Sequence, residues 1–94
     1  MHEPAHLNHA IELLVARYEE SNIKHPKPYN SYHEGLGLLL EELHELQEQI
    51  FRKEADQNPA KIQHEACDCA NVAIKMMILA EKHRLSMLQK EMKS

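Results

Sequence analysis

The chain has 94 residues and a mass of 11.0 kDa, which is the size of one small domain, so residues 1–94 are expected to fold as a single unit. Its 11 Lys and Arg against 15 Asp and Glu give a net charge of −4, which argues against nucleic-acid binding, because such modules carry a basic face. The sequence has neither an apolar run long enough to span a membrane nor a signal-peptide pattern, so we expect a cytoplasmic protein that does not bind membranes.

Proline positions divide the chain into three predicted helices. Pro26 and Pro28 cannot lie inside a continuous helix, and the apolar residues before them recur at three- and four-residue spacing. A first helix is therefore predicted over about residues 5–22. Asn58 and Pro59 suit the N-cap and the first position of another helix, which separates the second helix from the third.

The second and third helices contain most of the informative residues. Ser31 and Glu34 match a capping box, so the second helix is predicted to begin at Ser31 and to span about residues 31–56. The third is predicted over about residues 59–92, with Ser86 as a weak point. Since the sequence shows no alternating strand pattern, the predicted fold class is all-α.

The middle of the third helix is apolar on most of its circumference. Between Cys67 and Ala80 the apolar side chains, spaced at about 100° per residue, do not form one stripe but surround the helix. A helix of this kind has to be buried on several sides, which two other helices of one short chain can hardly achieve. We therefore expect an antiparallel bundle of about three to four helices per chain, completed by homo-oligomerisation.

Two pairs of acidic residues occupy positions where core residues would be expected. Glu42 and Glu45 flank the apolar stripe of the second helix, and Glu65 and Asp68 interrupt the apolar third helix at the same spacing. Four unpaired carboxylates at one place would repel each other, and a hard divalent ion such as Mg²⁺ is the usual solution. The alternative is an ordinary solvated acidic face, which is common in a chain with 28% charged residues.

The spacing of these residues matches a known signature. Glu41-Glu42-x-x-Glu45, followed after nineteen residues by Glu65-x-x-Asp68, resembles the EExxE…ExxD pattern of the MazG-like all-α nucleotide pyrophosphohydrolases. The helix over residues 31–50 looks like the first motif helix of the small, phage-type members of that family, and residues 65–77 look like the second. The resemblance covers roughly residues 29–80.

The resemblance implies a specific reaction. MazG-like enzymes hydrolyse nucleoside triphosphates between the α and β phosphorus atoms, which removes or recycles nucleotides, and they work as dimers or tetramers. Mg²⁺, for which Mn²⁺ can substitute, would be held by the four carboxylates, and Glu42 or Glu45 would also orient or deprotonate the attacking water. Two further positions match polar phosphate or sugar contacts of the family, namely Asn71 and Lys75.

Aromatic and polar residues stand at the entrance to the first motif helix. Tyr32 and His33, with Tyr29 and Asn30 just before them, are candidates for stacking on a base or hydrogen bonding to it. The two tyrosines could equally plug the end of the bundle. The identity of the base does not follow from these residues.

Two other functions are open at this point. The first is a non-catalytic helical interaction module, whose acidic face binds cations or a basic partner. The second is a di-iron carboxylate bundle, because Glu41-x-x-His44 matches the Glu-x-x-His element of such proteins. A second element of that kind on another bundle helix is lacking, since Glu65 is followed three residues later by Asp68.

Overall fold

The computed structural model describes residues 3–93, and this part of the chain is helical without any strand. Helix α1 spans Glu3–Lys24, α2 spans Tyr32–Ile50 and α3 spans Pro59–Lys93, with a short 3₁₀ turn at Glu54–Asp56 between the last two. The predicted all-α class is confirmed. Residues 1–2 and 94 of the predicted domain lie outside the described residues.

The starts of α2 and α3 are fixed by their capping side chains. Ser31 has an extended backbone, and its Oγ accepts a hydrogen bond of 3.1 Å from the amide of Glu34. The Glu34 carboxylate reaches one residue further back than a standard capping box requires and accepts from the amide of Asn30 at 2.9 Å. Oδ1 of Asn58 accepts from the amides of Ala60 and Lys61, which confirms Asn58 as the N-cap of α3.

The prediction that the second helix continues to residue 56 is wrong, because α2 ends at Ile50. The amide of Phe51 closes the last turn on the Gln47 carbonyl at 2.9 Å, and Nε2 of Gln57 donates to the Ile50 carbonyl at 2.9 Å. Residues 51–58 are used to reverse the chain so that α3 can pack back on α2, and this packing overrides their helix propensity. In contrast, α3 continues through Ser86 without a break.

Both α1 and α2 pack on α3, and no close approach between α1 and α2 is found in residues 3–93. Gly35 of α2 lies at the tightest contact, where an added Cβ would be 2.8 Å from Cγ of Met76 and 3.1 Å from Cδ2 of Tyr29. At Gly37 an added Cβ would meet nothing within 4 Å. Gly35 therefore permits the close approach of α2 to α3, whereas Gly37 has no such role.

A single copy of the chain does not enclose a hydrophobic core. Within the described range no apolar side chain is buried, and Gly35 and Asn71 are the two residues that are. The Cα radius of gyration is 16.7 Å, compared with about 12 Å for a compact domain of this length. The apolar middle of α3 is half-buried, and Met77 on its outer face is 69% exposed. None of the helices in residues 3–93 combines the length and hydropathy needed to cross a bilayer.

Candidate metal centre

Three glutamates of α2 and α3 meet at one place. Glu42 and Glu45 are one turn apart on α2 and face Glu65 on α3, so that one carboxylate oxygen from each lies within 4.8 Å of the others. Glu42 and Glu65 are half-buried, and Glu45 is exposed. Three oxygen ligands at these separations could hold one cation.

Asp68 belongs to a second, adjoining group. Together with His64 and Glu65 it forms another set of atoms within 4.8 Å of one another, so Glu65 is common to both sets. Nε2 of His64 lies 3.4 Å from Oδ2 of Asp68. The four predicted carboxylates are therefore neighbours, but the structure arranges them as two overlapping groups.

Arg17 of α1 is bound to Asp68, a contact that was not predicted from the sequence. Its Nε donates to Oδ1 of Asp68 at 2.9 Å, and its Nη2 donates to Nε2 of His64 at the same distance. Since a guanidinium has donors only, Nε2 of His64 is the acceptor. The only signal in the sequence is the need of the acidic residues for a cation, because Arg17 and Asp68 are 51 residues apart.

Burial and the repulsion between carboxylates raise the pKa values of two of the glutamates. Burial, followed by the charges of Glu45 and Asp68, raises the pKa of Glu42 from 4.5 to about 7. The same causes raise the pKa of Glu65. Oε2 of Glu42 and Oε2 of Glu65 are both buried and find no hydrogen-bond partner in the described part of the chain. Buried carboxylate oxygens without partners are a donor set that fits Mg²⁺, which prefers oxygen ligands.

A cleft of about 600 Å³ opens between α1 and α2, beside the carboxylates. Glu42 lies in its wall, and Val72 and Lys75 of α3 also line it. The other charged or aromatic residues that line it are Lys24, His25, Lys27, Tyr29 and Glu34. A neighbouring cavity of about 290 Å³ shares Glu42 with this cleft and extends to Arg17 and Asp68. Cationic side chains thus line the same space as the carboxylates.

The structure brings Asn71 and Lys75 to these cavities. Asn71 is 5% exposed, its Nδ2 makes a long contact of 3.9 Å with Sγ of Cys67, and its Oδ1 has no hydrogen-bond partner among residues 3–93. Lys75 donates from Nζ to Oγ of Ser21 at 3.4 Å and lies 5.8 Å from the centre of the Tyr29 ring. Asn71 lines the smaller cavity and Lys75 the larger cleft.

The four candidate base-binding residues separate into two pairs. Tyr29 and Asn30 line the cleft. Tyr32 points to the distal part of α3, where its hydroxyl is 2.9 Å from Nδ1 of His83, and neither Tyr32 nor His33 lines the cleft or the smaller cavity. A binding role for Tyr32 and His33 stays a prediction, whereas Tyr29 lines the cleft and has its ring centre 5.8 Å from Nζ of Lys75.

Comparisons with known proteins identify no relative of this chain. No protein-family model, no curated protein and no solved structure matches the chain. The resemblance to the MazG-like enzymes therefore rests on the acidic residues of α2 and α3 and on their spacing.

Proposed function

We propose that the chain is a Mg²⁺-dependent nucleoside triphosphate pyrophosphohydrolase, which cleaves (d)NTPs to (d)NMPs and pyrophosphate and so removes or recycles nucleotides. The observation that supports this proposal best is the meeting of Glu42, Glu45 and Glu65 within 4.8 Å, with two buried oxygens that lack a hydrogen-bond partner in the part of the chain that the structure describes. The cation-lined cleft beside them supplies the second requirement, which is space for a polyanionic substrate.

Each residue at the site then has a chemical role. Glu42, Glu45, Glu65 and Asp68 would hold Mg²⁺, which supplies charge neutralisation and alignment of the phosphates when bound. Glu42 or Glu45 would orient or deprotonate the attacking water. Phosphate or sugar contacts would come from Asn71 and Lys75.

The proposal includes self-association into a homodimer or homotetramer. The absence of a buried apolar side chain in residues 3–93 supports it, because one copy leaves many of its large apolar side chains exposed to water. Met77 and Met92, 69% and 86% exposed, are two examples. Burial of such side chains between copies would provide the core that a single chain lacks.

The test is hydrolysis of a panel of NTPs and dNTPs with Mg²⁺, with and without EDTA, with pyrophosphate separated from orthophosphate. We expect monophosphate and pyrophosphate, and loss of both with EDTA. Glu65→Gln should lower turnover at least about 100-fold, since Glu65 belongs to both carboxylate groups. Glu48→Gln is the matched control, because Glu48 is exposed on α2 and pairs with His44 at 3.1 Å outside the site.

A non-catalytic interaction module is the second candidate. It is favoured by the ion pair of Arg17 with Asp68, which shows that a protein cation can satisfy this carboxylate. No turnover of any nucleotide by folded, oligomeric protein at high concentration would favour this candidate over the enzyme. In that case Glu65→Gln should change the affinity for a basic partner without any effect of nucleotide.

A further inference from the structure

Arg17 connects α1 to the acidic centre through both oxygens of Asp68. Its Nε lies 2.9 Å from Oδ1, and its Nη2 lies 3.5 Å from Oδ2. Nη2 also donates to His64, and Nη1 lies 3.6 Å from a carboxylate oxygen of Glu20. The Arg17 and Asp68 side chains are only 33% and 20% exposed, so this pair is partly removed from solvent.

Asp68, which Arg17 holds, is also the one of the four carboxylates that lies outside the group of three glutamates. Glu42, Glu45 and Glu65 approach one another, whereas Asp68 is engaged by a positive charge from α1 and lies outside that set. A guanidinium and a divalent ion use the same carboxylate lone pairs, and as like charges they repel each other. Arg17 keeps its charge under all ordinary conditions, and its hydrogen bond with Asp68 raises the pKa of the guanidinium further. Arg17 and Mg²⁺ are therefore competitors for Asp68.

We propose that Arg17 is the resident counter-ion of Asp68 and that Mg²⁺ displaces it when all four carboxylates hold the metal. The proposal rests on the proposed function, because the Mg²⁺ site is part of it. Arg17 is on this account a positioning residue that lowers the affinity for the metal and couples α1 to its binding. Arg17 lines the cavity that also contains Glu42, Asp68 and Asn71, so the proposed exchange takes place at the wall of that cavity.

The experiment measures Mg²⁺ affinity by calorimetry for the wild-type chain and for Arg17→Gln, without nucleotide. Removal of the competing charge should tighten Mg²⁺ binding about 5- to 10-fold. Arg17→Lys keeps the charge but loses the two-pronged geometry, so its affinity should lie between the two. Arg84→Gln is the matched control, because Arg84 makes a similar pair with Glu81, at 2.6 Å, on the exposed part of α3. It should bind Mg²⁺ as the wild type does.

Equal or weaker Mg²⁺ binding by Arg17→Gln would overturn the proposal, even if that variant melts at a lower temperature without metal. A lower melting temperature without tighter Mg²⁺ binding would mean that Arg17 only stabilises the fold. A variant-free measurement covers the case in which Arg17→Gln does not fold. The Nε–H resonance of Arg17 in the wild-type chain should shift as Mg²⁺ is titrated, and an unchanged resonance at saturation would contradict displacement.

Nucleotide turnover, measured on the same preparations, separates this inference from the proposed function. Tighter Mg²⁺ binding by Arg17→Gln in a chain that hydrolyses no nucleotide supports the displacement of Arg17 and contradicts the enzyme. If the wild-type chain hydrolyses nucleotides but Arg17→Gln binds Mg²⁺ with unchanged affinity, the enzyme is supported and the displacement of Arg17 is contradicted. If neither protein binds Mg²⁺, the displacement is wrong and so is the metal dependence.

Discussion

The middle and the C-terminal third of α3 place their side chains in opposite environments. In the middle, the polar Asn71 is only 5% exposed, and its Oδ1 finds no hydrogen-bond partner within residues 3–93. Every residue from 80 to 93 is exposed, including several that are apolar. Burying a polar group without a partner costs free energy, and so does leaving apolar surface in water. The first cost is expected where a site has to bind a ligand, and the second where a surface has to bind a second chain.

The exposed apolar residues of the C-terminal third have a regular arrangement. Leu85, Leu88 and Met92 are spaced three and four residues apart, so they share one face of the helix. In the proposed oligomer this face is available for a partner copy, because no other part of residues 3–93 covers it. Three experiments test this comparison, in order of decreasing effect. The first alters this apolar face, the second alters the glycines of α2 where α2 packs on α3, and the third titrates the carboxylates.

The largest effect is expected from the double substitution Leu85→Ser and Leu88→Ser. Each leucine buried between copies contributes about 1.5 to 3 kcal/mol, so the dissociation constant of the oligomer should rise at least about 100-fold. Sedimentation over a range of concentrations measures this change. Lys90→Gln, at an exposed polar position on the opposite side of the same helix, is the control and should leave the dissociation constant unchanged. An unchanged mass for the double variant would exclude this face from the interface.

The glycines of α2 provide a matched pair for the packing of α2 on α3. Gly37→Ala should raise the free energy of unfolding by about 0.5 to 1 kcal/mol, because alanine favours the helix and its Cβ meets nothing. Gly35→Ala should lower it by about 1 kcal/mol, since the new Cβ would press on Met76 and Tyr29 and this cost exceeds the gain in helix propensity. Urea unfolding of both variants measures the difference. Stabilisation by both would mean that α2 and α3 do not approach as closely as described.

The smallest effect is the pH dependence of the metal-free chain. The pKa of Glu42 is raised to about 7 in the folded chain from an ordinary value of 4.5, so the folded state binds more protons than the unfolded state between these values. Stability should therefore fall as the pH rises through this window, by about 1 kcal/mol after allowance for solvent screening of a half-buried group. Urea unfolding in EDTA at pH 5 and pH 7.5 measures the fall.

Two additions to the pH series identify its cause. Glu42→Gln should reduce the slope of the profile and leave the contribution of Glu65, whose pKa is also raised, and an unchanged slope in that variant would assign the effect to other groups. Mg²⁺ should stabilise the wild-type chain more at pH 7.5 than at pH 5, because metal and protons compete for the same carboxylates.

The parts of the structure that follow from the sequence are those determined by near neighbours. Ser31 and Asn58 cap helices by contacts within two or three residues, and such contacts are visible in a sequence pattern. The helical spacing that places Glu42 beside Glu45 is equally local. In the structure the carboxylates of Glu42 and Glu45 lie close to that of Glu65, as expected from two acidic pairs on helices that face each other.

The parts that could not be predicted depend on distant contacts. Arg17 meets Asp68, and Tyr32 meets His83, across 51 residues each, and no spacing rule relates such positions. The end of α2 at Ile50 is stabilised by the side chain of Gln57, in a segment without a helix-breaking residue before Pro59. In each case the sequence does not show which helices pack together, or which residues of the two helices lie opposite each other.

The attachment of α1 to α3 alone has a consequence for the order in which the molecule opens. Of the three helices in residues 3–93, α1 packs on α3 and not on α2, so its release would break one interface and leave the α2–α3 pair intact. Local opening of this kind requires less free energy than global unfolding. The amide protons of α1 should therefore exchange with deuterated solvent sooner than those of α2. Since the Arg17–Asp68 pair crosses the interface that opens, hydrogen exchange in α1 should also report whether a divalent ion has taken the place of the arginine.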